Sequence, residues 1–431
     1  MQQTGGKIQI EQEFLDQFTD ETKNLKGFNE AITRSLDNDV SFVLKTILAG
    51  AIVLGCSDLH LEAQEKQAKL RVRLDGHLHD VIIFDAQKQA LITSRIKLLS
   101  GIKLNVEDKP QDGRFSIVLP DSEIEIRSST LPTQYGETAV LRVLNPKSLI
   151  DLEQLGLRRD LYETFTKEIE KPNGMIIVTG PTGSGKTTTL YAFLKKIRDP
   201  EIKIITIEDP IEYHLDDISQ TQVAPDKGYD FASGLKSIVR QDPDVILVGE
   251  IRDLETTEIA LQAALTGHLV FSTLHTNDAA GTIARLTSLG AKSFNIGPAI
   301  NLIIAQRLIR KICKECAEPR PATDEEIQKA KEALASVPEE ILKNYPPIND
   351  LVVYEPKGCE RCNFTGYKGR IGIYEAIKRD GELENFIATN PTIADMAAKA
   401  KQKGMVPMKA DGFLKVLERS TTIEEIEKAV G

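Results

Sequence analysis

The sequence predicts an α/β protein: a P-loop nucleotide-binding domain with a mostly parallel sheet, preceded by a smaller α+β domain and followed by a metal-binding segment. Three observations carry this prediction. Residues 180–187, GPTGSGKT, match the phosphate-binding pattern G-x-x-x-x-G-K-[ST] at every fixed position. From about residue 150, short apolar runs alternate with helical segments, as in a parallel sheet covered by helices. Two Cys-x-x-Cys pairs follow, at 313–316 and 359–362.

Composition limits the function classes. At 431 residues with 41% hydrophobic content, the chain is long enough for two or three domains with cores of their own. Its longest apolar stretch, residues 47–56, is far shorter than a membrane span, and its N-terminus lacks the features of a secretory signal, so we expect a cytoplasmic protein. A net charge of −10 and the absence of tryptophan argue against stable nucleic-acid binding. One basic cluster, for which a solvated or subunit-facing helix surface is the simpler interpretation, contains Arg307, Arg310, Lys311 and Lys314.

The N-terminal third has the pattern of an α+β domain that ends near Pro146. Residues 1 to about 30 are polar and acidic with weak periodicity, which indicates a frayed tail or a short helix. Asp75-Gly76 is a hairpin signal between two strands. Helices are predicted at 40–54 and 87–99, and strands at 58–62, 70–74, 81–84, 115–119, 123–128 and 137–143.

The second domain is predicted to contain parallel strands at 175–179, 202–207, 245–249 and 269–274. A charged helix near 324–335 and short helices from about 382 to 430 follow. The predicted organisation is therefore a polar tail (1–38), an N-terminal domain (39–148), a nucleotide-binding core (149–308), a tetracysteine subdomain (309–374) and a C-terminal helical region (375–431).

The phosphate loop has a specific chemical rationale. Gly180, Gly183 and Gly185 permit a tight turn whose N–H groups point at phosphate oxygens. Lys186 is expected to reach the β and γ phosphates, and Thr187 to place its hydroxyl on Mg²⁺, at the positive N-terminus of a helix. No N-K-x-D guanine-reading motif is present, which favours ATP over GTP. The set of expected nucleotide contacts is completed by Pro181, Thr182, Ser184 and Thr188.

Hydrolysis also needs acids that hold Mg²⁺ and orient water, and two candidates lie at strand ends. Glu208 closes one apolar run and Glu250 closes the next. Because the carboxyl ends of parallel strands meet at one edge, both should lie near the phosphate loop, although either alone can equally be a helix cap or turn residue. His268 and His275 flank the following strand, with His275 at its ligand-facing end. His268 is equally compatible with a structural role.

The paired cysteines suggest a tetrahedral Zn²⁺ site and not disulfides in a cytoplasmic protein. A zinc ion held by four thiolates has no open position for a substrate, so the site would be structural. The alternative is free thiols, because the long segment 317–358 must return to close the site. Cys56 is interpreted as a core thiol. The expected ligands are Cys313, Cys316, Cys359 and Cys362.

Longer motifs surround these candidate residues: GPTGSGKTTTLYAFL, ITIEDPIEYHL, RQDPDVILVGEIRD and TGHLVFSTLHTNDAAGTIARL. Others lie upstream, in CSDLHLE, LRVRLDG, PQDGR and LPTQYGETAVLRVL, and downstream, in GCERCNFTGYKGRIGIYEA. Together they resemble the secretion and assembly ATPases of type II secretion and type IV pili, over roughly residues 39–375. The resemblance implies a RecA-like motor domain behind a PAS-like N-terminal domain. It also implies a homo-hexamer that converts ATP hydrolysis into movement of an inner-membrane platform protein.

The resemblance further implies roles for individual residues. Glu208 would be the general base for water, and Glu250 would be the Walker B acid that acts on Mg²⁺ through water. His268 and His275 fall in the family's histidine box. Guanidinium groups stabilise charge on a transferring phosphoryl group. Three arginines would complete the site from the same or a neighbouring subunit, although at least one can equally be an interface ion pair: Arg114, Arg127 and Arg142.

One departure from the family concerns docking. Assembly members usually carry a larger additional N-terminal domain, whereas about 38 residues precede the matching region here, so the chain is either truncated or docks differently. The four paired cysteines resemble the assembly and export branch and disfavour pilus retraction. We therefore expect a motor ATPase at the periphery of the inner membrane that serves pilus assembly or type II secretion. The alternatives are a nucleic-acid translocase and a zinc-stabilised scaffold that binds nucleotide without hydrolysing it.

Overall fold

The computed structural model describes residues 6–431, which fall into two compact units. Unit 1 contains the chain up to Ser148 together with two short segments, Cys313–Ala317 and Pro356–Gly369. Unit 2 contains Leu149–Ile312, Glu318–Glu355 and Arg370–Gly431. The segment predicted as a tetracysteine subdomain is thus divided between the two units, with all four cysteines in unit 1. None of the described helices combines the length and the apolar composition that a bilayer crossing requires.

Unit 1 is built on a seven-stranded sheet. Its strands are β1 (Lys7–Gln9), β2 (Asp58–Ala63), β3 (Gln67–Leu74), β4 (His77–Asp85), β5 (Gln111–Val118), β6 (Glu123–Thr133) and β7 (Gly136–Leu144). Its helices are α1 (Gln12–Glu21), α2 (Leu25–Ser35), α3 (Val40–Leu54) and α4 (Ala86–Leu99). The strand order is β1-β5-β6-β7-β2-β3-β4, with β1 parallel to β5 and the other pairs antiparallel. The predicted strands and helices between residues 40 and 143 are confirmed.

Local chemistry explains several of these boundaries. The Asp39 carboxylate accepts hydrogen bonds from the first backbone N–H groups of α3, which ends at Gly55 with a φ of 70°. Asp75 and Gly76 both have positive φ, 49° and 87°, as a tight two-residue hairpin between β3 and β4 requires.

Residues 1–5 lie outside the part that the structure describes. For the segment that follows, the expected short helix is present as α1, the frayed tail is wrong, and a second helix, α2, was not expected. Helices α1 and α2 place Leu15, Phe18, Phe28 and Ile32 in the core of unit 1. These side chains are three or four positions apart within each helix and so form one apolar stripe per helix. Because each apolar stripe is narrow, polar residues dominate the composition of the segment, and the amphipathic helices are hard to recognise in the sequence.

Unit 2 is built on a second seven-stranded sheet, with the order β10-β9-β11-β12-β8-β13-β16. Its strands are β8 (Gly174–Thr179), β9 (Ile204–Glu208), β10 (Ser219–Gln222), β11 (Val245–Val248), β12 (Leu269–Leu274), β13 (Ile300–Ile312) and β16 (Tyr367–Lys378). All neighbours from β10 to β13 are parallel, as predicted. The two remaining strands, β14 (Ala317–Pro321) and β15 (Val352–Pro356), pair in a small sheet of their own.

Helices cover the parallel sheet and form the C-terminal region. The strands β8, β9, β11 and β12 are buried along their whole length, which explains their continuous apolar sequences. The helices are α5 (Arg159–Ile169), α6 (Lys186–Ile197), α7 (Phe231–Val239), α8 (Leu254–Leu265), α9 (Ala280–Ser288), α10 (Ser293–Ala299), α11 (Asp324–Leu334), α12 (Glu339–Leu342), α13 (Gly381–Ala388), α14 (Ile393–Gln402), α15 (Met408–Leu417) and α16 (Ile423–Val430).

Three residues of the basic cluster, Arg307, Arg310 and Lys311, lie on the strand β13 and not on the helix surface that we expected; Lys314 lies in the turn that follows. The sequence of this strand, INLIIAQRLIRKI, is rich in β-branched isoleucine, which favours the extended conformation of β13. Arg310 forms an ion pair with Glu425 of α16, with 2.5 Å between Nη2 and Oε1. Arg307 donates from Nη2 to the backbone oxygen of Asn277, at 3.1 Å. These two cations therefore have partners within unit 2.

Replacing Phe28 with alanine should lower the free energy of unfolding of unit 1 by about 3–5 kcal/mol, because a buried ring would leave a cavity. Phe28 is fully buried, and its ring lies directly against Gly50 of α3. Hydrogen exchange of the backbone amides of unit 1, recorded at increasing urea concentrations, would measure the change in the free energy of unfolding. Phe294→Ala is the control, since Phe294 is 63% exposed and should cost less than about 0.5 kcal/mol. Equal effects of the two changes would contradict the packing of α2.

Candidate active site

Residues 180–185 form the turn between β8 and α6. Gly180, Gly183 and Gly185 all have positive φ, at 150°, 79° and 90°. At two of these positions a side chain would also come too close to Gln306 of β13. A Cβ atom on Gly180 would lie 2.5 Å from the backbone oxygen of Gln306, and one on Gly185 would lie 2.7 Å from Gln306 Nε2. The strand β13 thus closes against the loop, and only glycine permits both the turn and this approach.

The polar groups of the loop suit a bound phosphate. Lys186 Nζ donates to the backbone oxygens of Gly180, at 2.7 Å, and Pro181, at 3.2 Å. Burial lowers the pKa of Lys186. The hydroxyl of Ser184 is buried and has no hydrogen-bond partner among the described residues. Thr187, in the first turn of α6, is exposed. A lysine bonded only to its own loop and an orphaned buried hydroxyl are both groups that phosphate oxygens would satisfy.

The phosphate loop, Glu208, Glu250 and His275 share one edge of the sheet of unit 2. Because β8, β9, β11 and β12 are parallel, their carboxyl ends all lie on the same side. Glu208 is the last residue of β9, Glu250 follows β11 by two positions, and His275 follows β12 directly. The phosphate loop follows β8. The structure therefore brings together the groups that the sequence placed at strand ends.

Glu250 and His275 are the closest of these groups to each other. His275 Nε2 lies 3.5 Å from Glu250 Oε2, and Arg252 forms an ion pair with the same carboxylate. Burial lowers the pKa of His275, and the positive charge of Lys186 lowers it further. His275 is therefore neutral near pH 7 and offers one N–H donor and one acceptor nitrogen.

Glu208 is held more tightly than the other acids. The residue is 3% exposed. Its Oε2 accepts a hydrogen bond from the hydroxyl of Tyr191, and its Oε1 accepts from Thr206 Oγ1, at 2.6 Å, and Gln220 Nε2, at 3.2 Å. Burial raises the pKa of Glu208, whereas these three donors lower it. A carboxyl group with a raised pKa at the carboxyl edge of a sheet is a candidate general base.

His268 does not join this group within the chain. It precedes β12, at the opposite edge of the sheet, and β12 is six residues or about 20 Å long. Its Nδ1 lies 3.1 Å from the backbone oxygen of Ala263 in α8, and its own backbone oxygen accepts from Gly174 N at the start of β8. This placement favours the structural role, the second of the two interpretations of His268 from the sequence.

Sequence reasoning missed two polar residues of β13. Gln306 Oε1 accepts a hydrogen bond from Thr189 of α6, at 2.7 Å. Arg307 bonds the loop that follows His275, and its charge lowers the pKa of Lys186, an effect smaller than that of burial. The available signal was the pair Gln306-Arg307, which directly follows the apolar run 302–305.

Glu375 of β16 is a third residue that the sequence did not reveal. It is buried, and its carboxylate accepts from the backbone N–H of Ala279, at 2.8 Å, and from that of Met408, at 3.0 Å. Burial raises the pKa of Glu375. One carboxylate thus ties the loop after His275 to the start of α15.

The three predicted arginines lie side by side in unit 1. Arg114 of β5 pairs in register with Arg127 of β6, which pairs in register with Arg142 of β7. Cross-strand partners share one face of a sheet, so the three guanidinium groups form a row. Asp58 of β2 is next in the row and binds Arg142 Nε at 3.1 Å and Arg73 Nε at 3.3 Å. Arg127 also has a carboxylate partner, since its Nε lies 3.3 Å from Glu125 Oε1. A row of neighbouring guanidinium groups suits an anionic ligand.

The four paired cysteines form a compact cluster. Their Sγ atoms all lie within 4.8 Å of one another. The separation is 3.9 Å between Cys313 and Cys359, and 3.8 Å for Cys316–Cys362 and for Cys359–Cys362. Metal–sulfur bonds of about 2.3 Å in a tetrahedron place the sulfurs about 3.8 Å apart, whereas a disulfide needs about 2.05 Å. The cluster therefore fits a single tetrahedral metal ion, and the long segment between the pairs does return to close it.

Comparisons with known proteins identify relatives over most of the chain. The profile of a family described as "Type II/IV secretion system protein" matches residues 35–428. The type IV pilus assembly ATPase PilB of Pseudomonas aeruginosa is 42% identical over 395 residues, which cover 90% of this chain and 67% of the relative. The type II secretion system ATPase E of Vibrio cholerae is 40% identical over 401 residues, which cover 92% of this chain and 77% of the relative.

Two solved structures resemble the chain over most of its length. The pilus retraction motor PilT with bound ADP has a TM-score of 0.60 at 28% identity, with 89% of this chain and 96% of the other covered. The Legionella pneumophila ATPase DotB has a TM-score of 0.64 at 20% identity, with 89% and 94% covered, and shares the fold. The family that the motifs predicted is confirmed, and this chain belongs to the type II/IV secretion system proteins, among relatives named as ATPases of pilus assembly and type II secretion.

Proposed function

We propose that this protein hydrolyses ATP to drive type IV pilus assembly or type II protein secretion. The observation that carries the proposal is the convergence of the phosphate loop, Glu208, Glu250 and His275 at one edge of a parallel sheet. The names of the relatives support the same activity. In this proposal unit 2 is a RecA-like motor domain, and the sheet of unit 1 is a PAS-like domain.

Each residue at the edge has a role in the proposed reaction. Lys186 would exchange its bonds with the loop carbonyl oxygens for bonds with the β and γ phosphates of ATP. Thr187 and, through water, Glu250 would hold Mg²⁺, which supplies positive charge beside the phosphates. Glu208 would accept the proton of the attacking water, and neutral His275 would contact the γ-phosphate. His268 we leave outside this set because it contacts α8.

The arginine row is assigned to the transition state. Arg114, Arg127 and Arg142 would stabilise negative charge on the transferring phosphoryl group, in the same or a neighbouring subunit of a homo-hexamer. The Asp58 carboxylate would keep Arg142 in the row. Movement between such subunits would act on an inner-membrane platform protein, so the protein would work in the cytoplasm at the membrane periphery through partners and without stable nucleic acid.

The cysteine cluster is assigned to one structural Zn²⁺. The distances between the sulfur atoms support this assignment. In addition, the backbone N–H groups of Cys359 and Gly366 donate to Cys362 Sγ, at 3.2 Å each. Such N–H bonds stabilise a thiolate, which is the form that binds zinc. Four thiolate ligands leave no position for a substrate, so the ion would hold the two cysteine segments together.

Mg-ATP hydrolysis by the purified chain tests the proposed activity. Lys186→Ala should lower phosphate release at least 100-fold, because a cation that stabilises phosphate charge is lost. Glu208→Gln should lower kcat by about 10²–10⁴-fold with little change in ATP affinity, because only the base is lost. The control is Lys196→Ala, whose exposed amine on the same helix binds Glu153. Wild-type turnover in Glu208→Gln would contradict the role of this residue.

Replacing Arg142 with glutamine should lower kcat by about 10-fold or more, since a charge that acts on the transition state is removed. Arg159→Gln, a change in a 91% exposed side chain of α5, should leave kcat unchanged. Oligomers that contain both Arg142→Gln and Lys186→Ala subunits then show whether Arg142 acts in the nucleotide site of its own subunit or in that of a neighbouring subunit. Restored hydrolysis would mean that it serves a neighbouring subunit, and no restoration would mean that it serves its own. Unchanged turnover in Arg142→Gln would remove it from the site.

Protein purified without chelator should contain one zinc ion per chain by elemental analysis. Cys362→Ser should lose this zinc and lower the thermal stability of unit 1, because the cysteine segments would no longer be joined. Cys56→Ser is the control, since Cys56 lies outside the cluster and should leave the zinc content unchanged. A chain that is fully folded and free of zinc would contradict the assignment.

A further inference from the structure

Tyr191 is a buried residue that the proposed mechanism does not use. It lies on α6, four residues beyond Thr187, and is fully buried. Its hydroxyl donates a hydrogen bond to Glu208 Oε2, and its ring packs edge-on against Tyr213, with 6.2 Å between centroids. The phenol therefore connects the helix that carries the phosphate loop to the carboxylate at the end of β9.

The hydrogen bonds of Glu208 leave little freedom to its carboxylate. An ionised carboxylate has about four acceptor positions. Thr206 and Gln220 occupy Oε1, and Tyr191 occupies one position on Oε2. The remaining position is on Oε2, next to the phenol, and it is where a water molecule could donate its proton.

We propose that Tyr191 is a positioning residue for ATP hydrolysis, which keeps Glu208 ionised and aims its remaining Oε2 acceptor position at the attacking water. This inference rests on the proposed role of Glu208 as the general base. Tyr191 does not replace Glu208, because it acts only through the carboxylate.

The charges around Glu208 show why the phenol matters. Burial raises the pKa of Glu208, and the neighbouring carboxylate of Glu212 raises it further. Thr206, Tyr191 and Gln220 oppose these effects from β9, α6 and β10. Burial and the charge of Glu208 also raise the pKa of Tyr191, so the phenol keeps its proton and stays a donor. A base must be ionised, and the three hydrogen bonds offset only part of the two effects that raise the pKa of Glu208, so each donor matters.

The sign of the effect follows from this balance. Phenylalanine at position 191 keeps the ring and removes the donor, so the pKa of Glu208 rises. The ionised form then appears only at higher pH, and the acid limb of the kcat profile should move up by about one pH unit. At a pH on the acid limb, kcat should fall by about 10-fold, and the loss should shrink as the pH increases. ATP affinity should not change, since Tyr191 lies behind the carboxylate and not in the loop.

The test is single-turnover hydrolysis of Mg-ATP by the full chain between pH 5.5 and 9. The variants are Tyr191→Phe and Thr206→Val, each of which removes one donor to Glu208. The matched control is Tyr162→Phe, which removes a phenol–carboxylate bond of 2.8 Å to the exposed Glu153. Both donor variants should move the acid limb upward, and the control should leave it in place. A pH-independent loss of kcat in both donor variants, or an unmoved limb, would overturn the inference.

Glu208→Gln separates this inference from the proposed function. If Glu208→Gln abolishes hydrolysis and the two donor variants leave the limb unmoved, Glu208 stays the base and only the role of Tyr191 falls. If Glu208→Gln hydrolyses ATP at the normal rate, the proposed base falls, and the role of Tyr191 falls with it.

Discussion

The parallel pairing of β8, β9, β11 and β12 is the constraint on which the rest of the site depends. These strands are buried on both faces, so their registers are fixed by continuous apolar packing and cannot slip without exposing it. Parallel strands must be joined by crossovers, and the residue that ends each strand is therefore delivered to the same side. The parallel direction of the strands therefore brings together residues from distant parts of the chain: Glu208, Glu250, His275 and the phosphate loop.

The strand β13, which lies between β8 and β16 in the sheet, holds these groups in a defined geometry. Its backbone and side chain at Gln306 lie against the glycines of the phosphate loop, and Arg307 holds the loop that follows His275. The same loop is bonded through Thr276 to Thr179 at the end of β8, with 2.7 Å between their hydroxyl oxygens. The two loops that would face the phosphates are thus braced against each other and against one strand. Such bracing keeps polar groups in place before a ligand arrives, which is how a site stabilises charge at low cost.

Much of the fold and of the candidate site could be predicted from the sequence. The features that could not be predicted depend on contacts between residues that are distant in the chain. The phosphate loop and the strand-end acids have local signals, because their chemistry depends on residues that are adjacent in the chain. The pair of helices α1 and α2 was not predicted, because the few buried residues of each helix barely change the composition of a polar segment. Gln306 and Tyr191 were not assigned to the site because their partners, Thr189 and Glu208, are brought near only by the sheet. The distances between the four sulfur atoms could not be predicted either, because they depend on how the long segment between the two cysteine pairs folds back.

The carboxylate of Glu375 has a consequence for communication within unit 2. Helix α15 begins after Pro407, whose side chain provides no capping hydrogen bond, so the N–H of Met408 is capped by Glu375 from another element. A helix cap contributes about 1 kcal/mol. The other oxygen of the same carboxylate holds Ala279, four residues beyond His275. A displacement of the His275 loop would therefore pull on the carboxylate that caps α15, so Glu375 is one direct link between this loop and the C-terminal helices.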